Sequence, residues 1–305
     1  MKYQLYKSFF ALLRRLPWGV LTALSKGIAA LLRGPIAYRR AVVYDNLKRS
    51  FPEKSTAELE RIAHDFYDHL VFQFLSSPKL LAQPTEVIKR EHMLVEGMEI
   101  FAMLKAEGKP LSLVLMGHCG NWELFSAGQI YFDEIGIQQE QLYRPLKDEA
   151  LDRVQLEMRS ALGSMTTPKD QVGRRLIQLM RQSPDSGHTI AFIADQTPGQ
   201  DGRVGLWADF LNQPTAFLDG AERLAAKYQL PVVYMDVVRH NNRCYTGRMK
   251  LLSANPHLLP RHELTKLYIH ELEQTIRRDP ACWLWSHRRW KLKPPEAQST
   301  PSQIN

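Results

Sequence analysis

With 305 residues, 44% of them hydrophobic and 24% charged, the chain has the composition of a folded globular protein rather than a disordered one. Its formal charge of +8 favours anionic partners, among them phospholipid head groups, a phosphorylated lipid, an acidic carrier protein or nucleic acid. Three cysteines (Cys119, Cys244 and Cys282), odd in number and far apart, exclude a disulfide framework and suit a reducing compartment, and no Cys/His spacing marks a metal site.

Residues 1–35 are markedly apolar, through Phe9, Phe10, Leu12, Leu13, Leu16, Trp18, Val20, Leu21, Leu24, Ile28, Leu31 and Leu32. Arg14, Arg15, Lys26 and Arg33 interrupt them, so no uncharged run reaches the ~18 to 20 residues of a spanning helix. A small-residue cleavage signature of a removable signal peptide is missing. Trp18 among basic residues fits a helix lying in a membrane interface or partly inserted; an amphipathic helix packed on the core is the alternative. Residues 38–80 read as helical. Ser55, with Glu58 three residues on, marks a helix start, and Leu59, Ile62, Phe66, Leu70 and Phe74 recur at helical spacing as a core face. His64 and His69 in this stretch are assigned no role. A further helix over 97–108 stops at Gly108-Lys109-Pro110.

Leu111 to Met116 is a short apolar run of the kind expected for a buried strand. Gly117 breaks it, Gly120 and Asn121 supply turn and helix N-cap chemistry, and a helix is expected from Trp122. The turn carries His118 and, five residues on, Glu123. An imidazole at a strand end beside a carboxylate suits a general base held by its neighbour. A satisfied loop histidine and an ordinary first-turn glutamate are the plainer reading.

Gln141 to Lys147 reads as a second strand running into a turn, where Arg144 suits bidentate binding of a phosphate or carboxylate, or a structural ion pair. Helices are expected over 151–162 and 174–180. Gly187 to Gln196 is an apolar strand ending in Asp195 and Gln196, and the carboxyl end of a buried strand is where α/β sheets place ligand groups; a turn cap is the alternative for Asp195. His188 starts that strand, remote from such sites. The stretch from Gly205 to Leu218, with Trp207, Phe210 and Phe217, reads as an apolar loop suited to an acyl-chain pocket, a membrane rim or the core. Leu230 to Arg239 and Tyr245 to Leu252 are strands about an Asn241-Asn242 turn, and Leu264 to Arg278 is a long helix. Trp283 to Lys291 gathers three tryptophans with His287, Arg288, Arg289 and Lys291, a set that fits a phosphorylated lipid head group at a membrane interface or a phosphate backbone. The tail, 294–305, is polar and expected to be disordered. Helices first, then strands alternating with helices, predict one α/β domain over 36–293 with a mixed central sheet flanked by helices and an N-terminal helical annex.

His118-Cys119-Gly120-Asn121-Trp122-Glu123 resembles the first block of the bacterial lipid A late acyltransferases, the lauroyl and myristoyl transferases of lipopolysaccharide assembly, whose hallmark is H-x4-D/E. Three further blocks follow in that family's order: Tyr143-Arg144-Pro145-Leu146, Ala194-Asp195-Gln196, and Trp283 through Lys291. The resemblance covers nearly the whole chain, and four ordered blocks are far more specific than one. It implies a glycerolipid acyltransferase-like fold at the cytoplasmic face of the bacterial inner membrane. It also implies an acyl donor carried on the phosphopantetheine of acyl carrier protein, with no separate cofactor and no metal, and a hydroxyl of a phosphorylated lipid A precursor as acceptor. Anionic phospholipid is an expected partner and nucleic acid is not. His118 would be the general base, assisted by Glu123, with Asn121, Arg144, Asp195, Gln196, Arg288 and Arg289 binding or supporting the substrates. Arg144 and the backbone N–H groups around Gly120 are the oxyanion donors this reading offers. Asp148 stands where the family often has Asn, and the family does not require Cys119, which counts against a thiol nucleophile. Related acceptors, such as a phosphatidylinositol mannoside or an ornithine lipid, share these blocks. A non-enzymatic basic protein binding membrane or nucleic acid would leave the four blocks uncoordinated.

Overall fold

A computed structural model describes residues 1–182, 186–199 and 204–295; the expected polar tail beyond residue 295 lies outside them. Seven strands form the main sheet: β1 (Met93–Glu96), β2 (Leu111–Met116), β3 (Ile137–Tyr143), β4 (Met165–Pro168), β5 (Gly187–Ile193), β8 (Val232–Asn241) and β9 (Cys244–Ser253), with β6 (Leu206–Phe210) and β7 (Gln213–Phe217) pairing separately. The order across the main sheet is β1-β9-β8-β2-β5-β3-β4. Only the β8–β9 hairpin is antiparallel, so the sheet is mixed, as expected. All six residues of β2 are buried, which is why this strand reads as an unbroken apolar run: it lies between β5 and β8 with both faces covered.

The strands without a clear sequence signal are short. β1 and β4 have four residues each, too few for alternation to declare itself. The expected apolar loop at 205–218 is instead the hairpin β6–β7. Leu211 and Asn212 at its tip take φ of 50° and 61°, the left-handed geometry of a tight two-residue turn. Phe210 and Phe217 are buried with ring centroids 5.4 Å apart, so this aromatic stretch belongs to the core.

Four long helices precede the sheet: α1 (Lys2–Arg15), α2 (Trp18–Arg33), α3 (Arg40–Ser50) and α4 (Thr56–Leu80). Ser55 and Glu58 close a reciprocal capping box at the start of α4, and Leu59, Phe66 and Leu70 are buried along it. The first two helices dock on the domain. Leu13 and Leu21 are buried, and the hydroxyls of Tyr3 and Tyr6 donate to Glu157 and Asp148. Their outer faces nonetheless expose Leu5, Phe9, Leu12, Val20, Leu24 and Leu31. Among the described residues no helix is long and apolar enough to cross a membrane.

At the amino end of β5, His188 meets Glu140 of β3, whose fully buried carboxylate also takes Arg175 and the Thr167 hydroxyl. Burial by itself would raise the Glu140 carboxyl, but these three partners hold it at about 2 against an ordinary 4.5. The depressed value means that Glu140 contributes stability above pH 4.5, and that the contribution is lost as pH falls toward 2. Glu140→Gln should therefore lower the urea midpoint at pH 7 while flattening its decline between pH 5 and 2; equal losses at both ends would remove Glu140 from the acid response.

Candidate active site

Parallel pairing of β2 with β5 sets Leu111 opposite His188 and Met116 opposite Ile193. Two residues past those ends, in the same register, stand His118 and Asp195. The Ala194 N–H to Met116 carbonyl bond of 3.1 Å carries the pairing one step beyond the strands. Gly117 permits the closure, since a Cβ there would lie 2.4 Å from Leu272 Cδ1 and 3.4 Å from Asp195 Oδ2.

Asp195 is 2% exposed and accepts three hydrogen bonds. Oδ1 takes His118 Nδ1–H at 2.6 Å; Oδ2 takes the His118 backbone N–H at 2.8 Å and the Trp283 indole N–H at 2.7 Å. Burial works to raise this carboxyl, but the His118 ring, the His118 backbone and the Trp283 indole bring it down to about 2. A carboxylate at Nδ1 fixes the tautomer and leaves the lone pair on Nε2, the atom a general base uses. Among the described residues, the Gln196 side-chain amide is the one hydrogen-bonding group near Nε2, at 3.4 Å.

The expected His118–Glu123 partnership is therefore replaced by His118–Asp195. Glu123 is buried, and both its oxygens are taken bidentately by Arg159, at 2.8 and 2.6 Å. The reason is the path of the chain. Gly120 turns with φ +61°, and a 3₁₀ turn over Leu124–Gly128 follows where a regular helix from Trp122 was expected, so Glu123 is carried to the end of the helix Glu149–Arg159. Asn121 anchors this turn: its Oδ1 accepts from Ser77 of α4 at 3.1 Å and from the Leu124 N–H at 3.3 Å.

Cys119 faces inward. Its thiol is buried against that of Cys282, and burial pushes it far above the ordinary thiol range, which leaves no thiolate for nucleophilic work. Gly120 donates its backbone N–H to the Cys282 carbonyl at 3.0 Å. Arg144 is exposed just past β3, on the far side of β5 from β2, and has no polar partner among the described residues. Asp148 caps the helix Glu149–Arg159 through the Ala150 and Leu151 N–H groups.

The Trp283–Lys291 block is not the open platform its composition suggested. Trp283 and Trp285 are buried and meet edge to face at 4.8 Å. Arg289 is 1% exposed, with its guanidinium 4.4 Å from the Phe217 ring centre and no hydrogen-bond partner among the described residues. Burial pushes Arg289 down to about 10. Arg288 alone of the pair faces solvent, with its carbonyl 3.2 Å from the Thr197 hydroxyl oxygen. Three tryptophans and a cation in nine residues served the core, and the functional part of Trp283 is its indole N–H.

An apolar cavity of about 480 Å³ opens between α2 and α4, lined by Ile28, Leu32, Leu70, Phe74, Trp122 and His287 among others. The Trp122 ring stands edge to face with Phe74 at 6.1 Å and with His118 at 5.2 Å, so one indole borders both cavity and imidazole. The imidazole therefore stands beside an apolar cavity, while the hairpin, read from sequence as suited to an acyl-chain pocket, a membrane rim or the core, packs into the core. Among the described residues no three His, Cys, Asp or Glu side chains converge as metal ligands.

A model of the bacterial lipid A biosynthesis acyltransferases matches residues 2–292. The chain belongs to this family of acyltransferases. It is 24% identical over 284 residues, 92% of this chain and 88% of the other, to the lipid A biosynthesis palmitoleoyltransferase of Escherichia coli (strain K12). It is similar to the same degree to the lipid A biosynthesis acyltransferase of Shigella flexneri. The four blocks recognised in the sequence converge around the β2–β5 seam of the acyltransferase only in part: the first, third and fourth meet at Asp195, and the second stays at the rim. Arg159 and Thr197 carried no signal in sequence, because each acquires its partner across a long stretch of chain. Asp195→Asn keeps shape but cannot accept from both His118 N–H groups and Trp283. Its turnover is expected to fall by about 10² to 10⁴, measured as initial rates of acyl transfer; an unchanged rate would detach Asp195 from the imidazole's work.

Proposed function

We propose that this acyltransferase moves a fatty acyl chain from the thioester of acyl carrier protein to a hydroxyl of a phosphorylated lipid A precursor, with His118 as general base. The observation that carries the reading is the His118 imidazole, tautomer set by Asp195, standing across Trp122 from an apolar cavity. His118 Nε2 takes the acceptor's hydroxyl proton as its oxygen attacks the thioester carbonyl. The C–O bond forms, the tetrahedral intermediate collapses with cleavage of the C–S bond, and the carrier thiolate leaves and receives a proton. Asp195 stabilises the transient imidazolium. Glu123 assists at one remove, since its bidentate pair with Arg159 pins the turn that presents His118.

The net charge of +8 suits an acidic carrier and a phosphorylated acceptor. The relatives in Escherichia coli and Shigella flexneri are named for lipid A biosynthesis, in keeping with that acceptor. The N-terminal helices form the membrane-associating face. Leu5, Phe9 and Leu12 on α1, and Val20, Leu24 and Leu31 on α2, recur at helical spacing and are exposed, beside exposed Arg14, Arg15 and Lys26. Apolar residues rimmed by cations fit an anionic bilayer surface, here the inner membrane's cytoplasmic leaflet. The cavity shares α2 with this face, which gives a lipid substrate a short path to His118.

Incubation with acyl carrier protein charged with chains of different length and a lipid A precursor, followed by mass spectrometry, tests the reaction and names the acceptor. His118→Ala is expected to lose about 10² to 10⁴ in rate while melting as wild type does, and Cys119→Ser to remain active; near wild-type transfer by His118→Ala would remove the base. Flotation with anionic vesicles should recover the wild-type protein, and the triple change Leu5→Glu, Phe9→Glu, Leu12→Glu should leave it in the soluble fraction. Equal flotation of both would place membrane contact elsewhere.

A further inference from the structure

Acyl transfer requires hydrogen-bond donors aimed at the oxyanion that develops on the thioester carbonyl. Of the donors suggested by the sequence, the Gly120 N–H is spent on the Cys282 carbonyl at 3.0 Å, and Arg144 is exposed past β3, beyond β5 from the strand that carries His118. The turn after β5 offers another. Its three consecutive residues handle two imidazoles. Asp195 takes His118 Nδ1–H, the Gln196 amide lies 3.4 Å from His118 Nε2, and the Thr197 backbone N–H lies 3.3 Å from His287 Nε2.

A backbone N–H can only donate, so His287 Nε2 carries the lone pair and Nδ1 carries the proton. The Thr197 hydroxyl, also 3.3 Å from Nε2, has a better acceptor for its single proton in the Arg289 carbonyl at 2.7 Å. Nδ1–H of His287 is left without a partner among the described residues, on a ring that lines the apolar cavity together with Trp122. Burial pushes His287 down to about 4; Asp195 favours its charged form, and Arg289, His118 and Lys291 oppose it. The ring is thus a neutral donor across the physiological range, and it neither competes with His118 for the proton nor repels the imidazolium that forms there.

We propose that His287 is an oxyanion donor of this enzyme, its Nδ1–H meeting the carbonyl oxygen of the acyl thioester as that carbon becomes tetrahedral. The inference rests on the acyl-transfer reading above. Thr197 is the positioning residue, fixing the tautomer through its main chain. The C-terminal block, through His287 and Trp283, then serves both halves of the reaction: one aromatic residue holds the base's carboxylate and the other receives the charge that builds on the substrate.

The test compares His287→Ala and His287→Asn in the full chain, using acyl carrier protein charged with a fatty chain and a lipid A precursor. The asparagine amide places an N–H near the position of Nδ1. His287→Ala is expected to lower kcat by about 10² to 10³ with KM for the carrier substrate within a few-fold of wild type, and His287→Asn to regain about tenfold or more of that loss. A wild-type kcat in His287→Ala, a loss confined to KM, or no recovery in an equally stable His287→Asn would each overturn the proposal. Wild type and His118→Ala run in parallel. Transfer by wild type that is lost in His118→Ala but kept in His287→Ala sinks only the role of His287, whereas no transfer by wild type sinks the acyl-transfer reading itself.

Discussion

The acyltransferase is arranged around one buried carboxylate and the register that delivers it. Asp195 sits where parallel β2 and β5 end side by side, and three N–H groups from two chain segments converge on its two oxygens. A carboxylate removed from water is stable as an anion only when its lone pairs are occupied. The strand register, the glycine at 117 and the indole of Trp283 therefore depend on one another. The imidazole's tautomer follows from that arrangement rather than from any property of the H-x4-E motif.

Trp122 joins this polar seam to the apolar half of the molecule. Its indole meets His118 on one side and Phe74 on the other, beside a cavity whose walls come from α2, α4 and the C-terminal block. Apolar side chains line the cavity while hydrogen-bond donors and acceptors are kept at the seam, and electrostatic interactions gain strength in such surroundings. The N-terminal helices contribute to both halves, since α2 lines the cavity with Ile28 and Leu32 and exposes Val20, Leu24 and Leu31 outward.

The C-terminal block shows how composition misleads about exposure. Arg289 is buried over Phe217 and held below the ordinary arginine range, and Trp283 and Trp285 fill the core. Aromatic and cationic residues close together in sequence signal an interface when they face outward, but a long stem and a ring also pack face to face inside a protein. Which of the two holds depends on what lies opposite, and here that is the β6–β7 hairpin, itself mistaken for a loop because its five-residue strands meet at a turn without glycine.

The sequence by itself determined the α/β class, the buried central strand from its unbroken apolar run, the Ser55–Glu58 helix start, the long helix near residues 264–278 and the turn that presents His118, because each rests on periodicity or on chemistry within a few residues. Belonging to the lipid A acyltransferases was likewise legible in four ordered blocks. Only the tertiary structure decided that the carboxylate at the imidazole is Asp195, that Glu123 belongs to Arg159, and that the cavity lies against α2 and α4. Those pairings join residues 36 to 77 positions apart or more. A contact at that separation is set by strand register and by where the chain turns, and spacing along the chain carries neither.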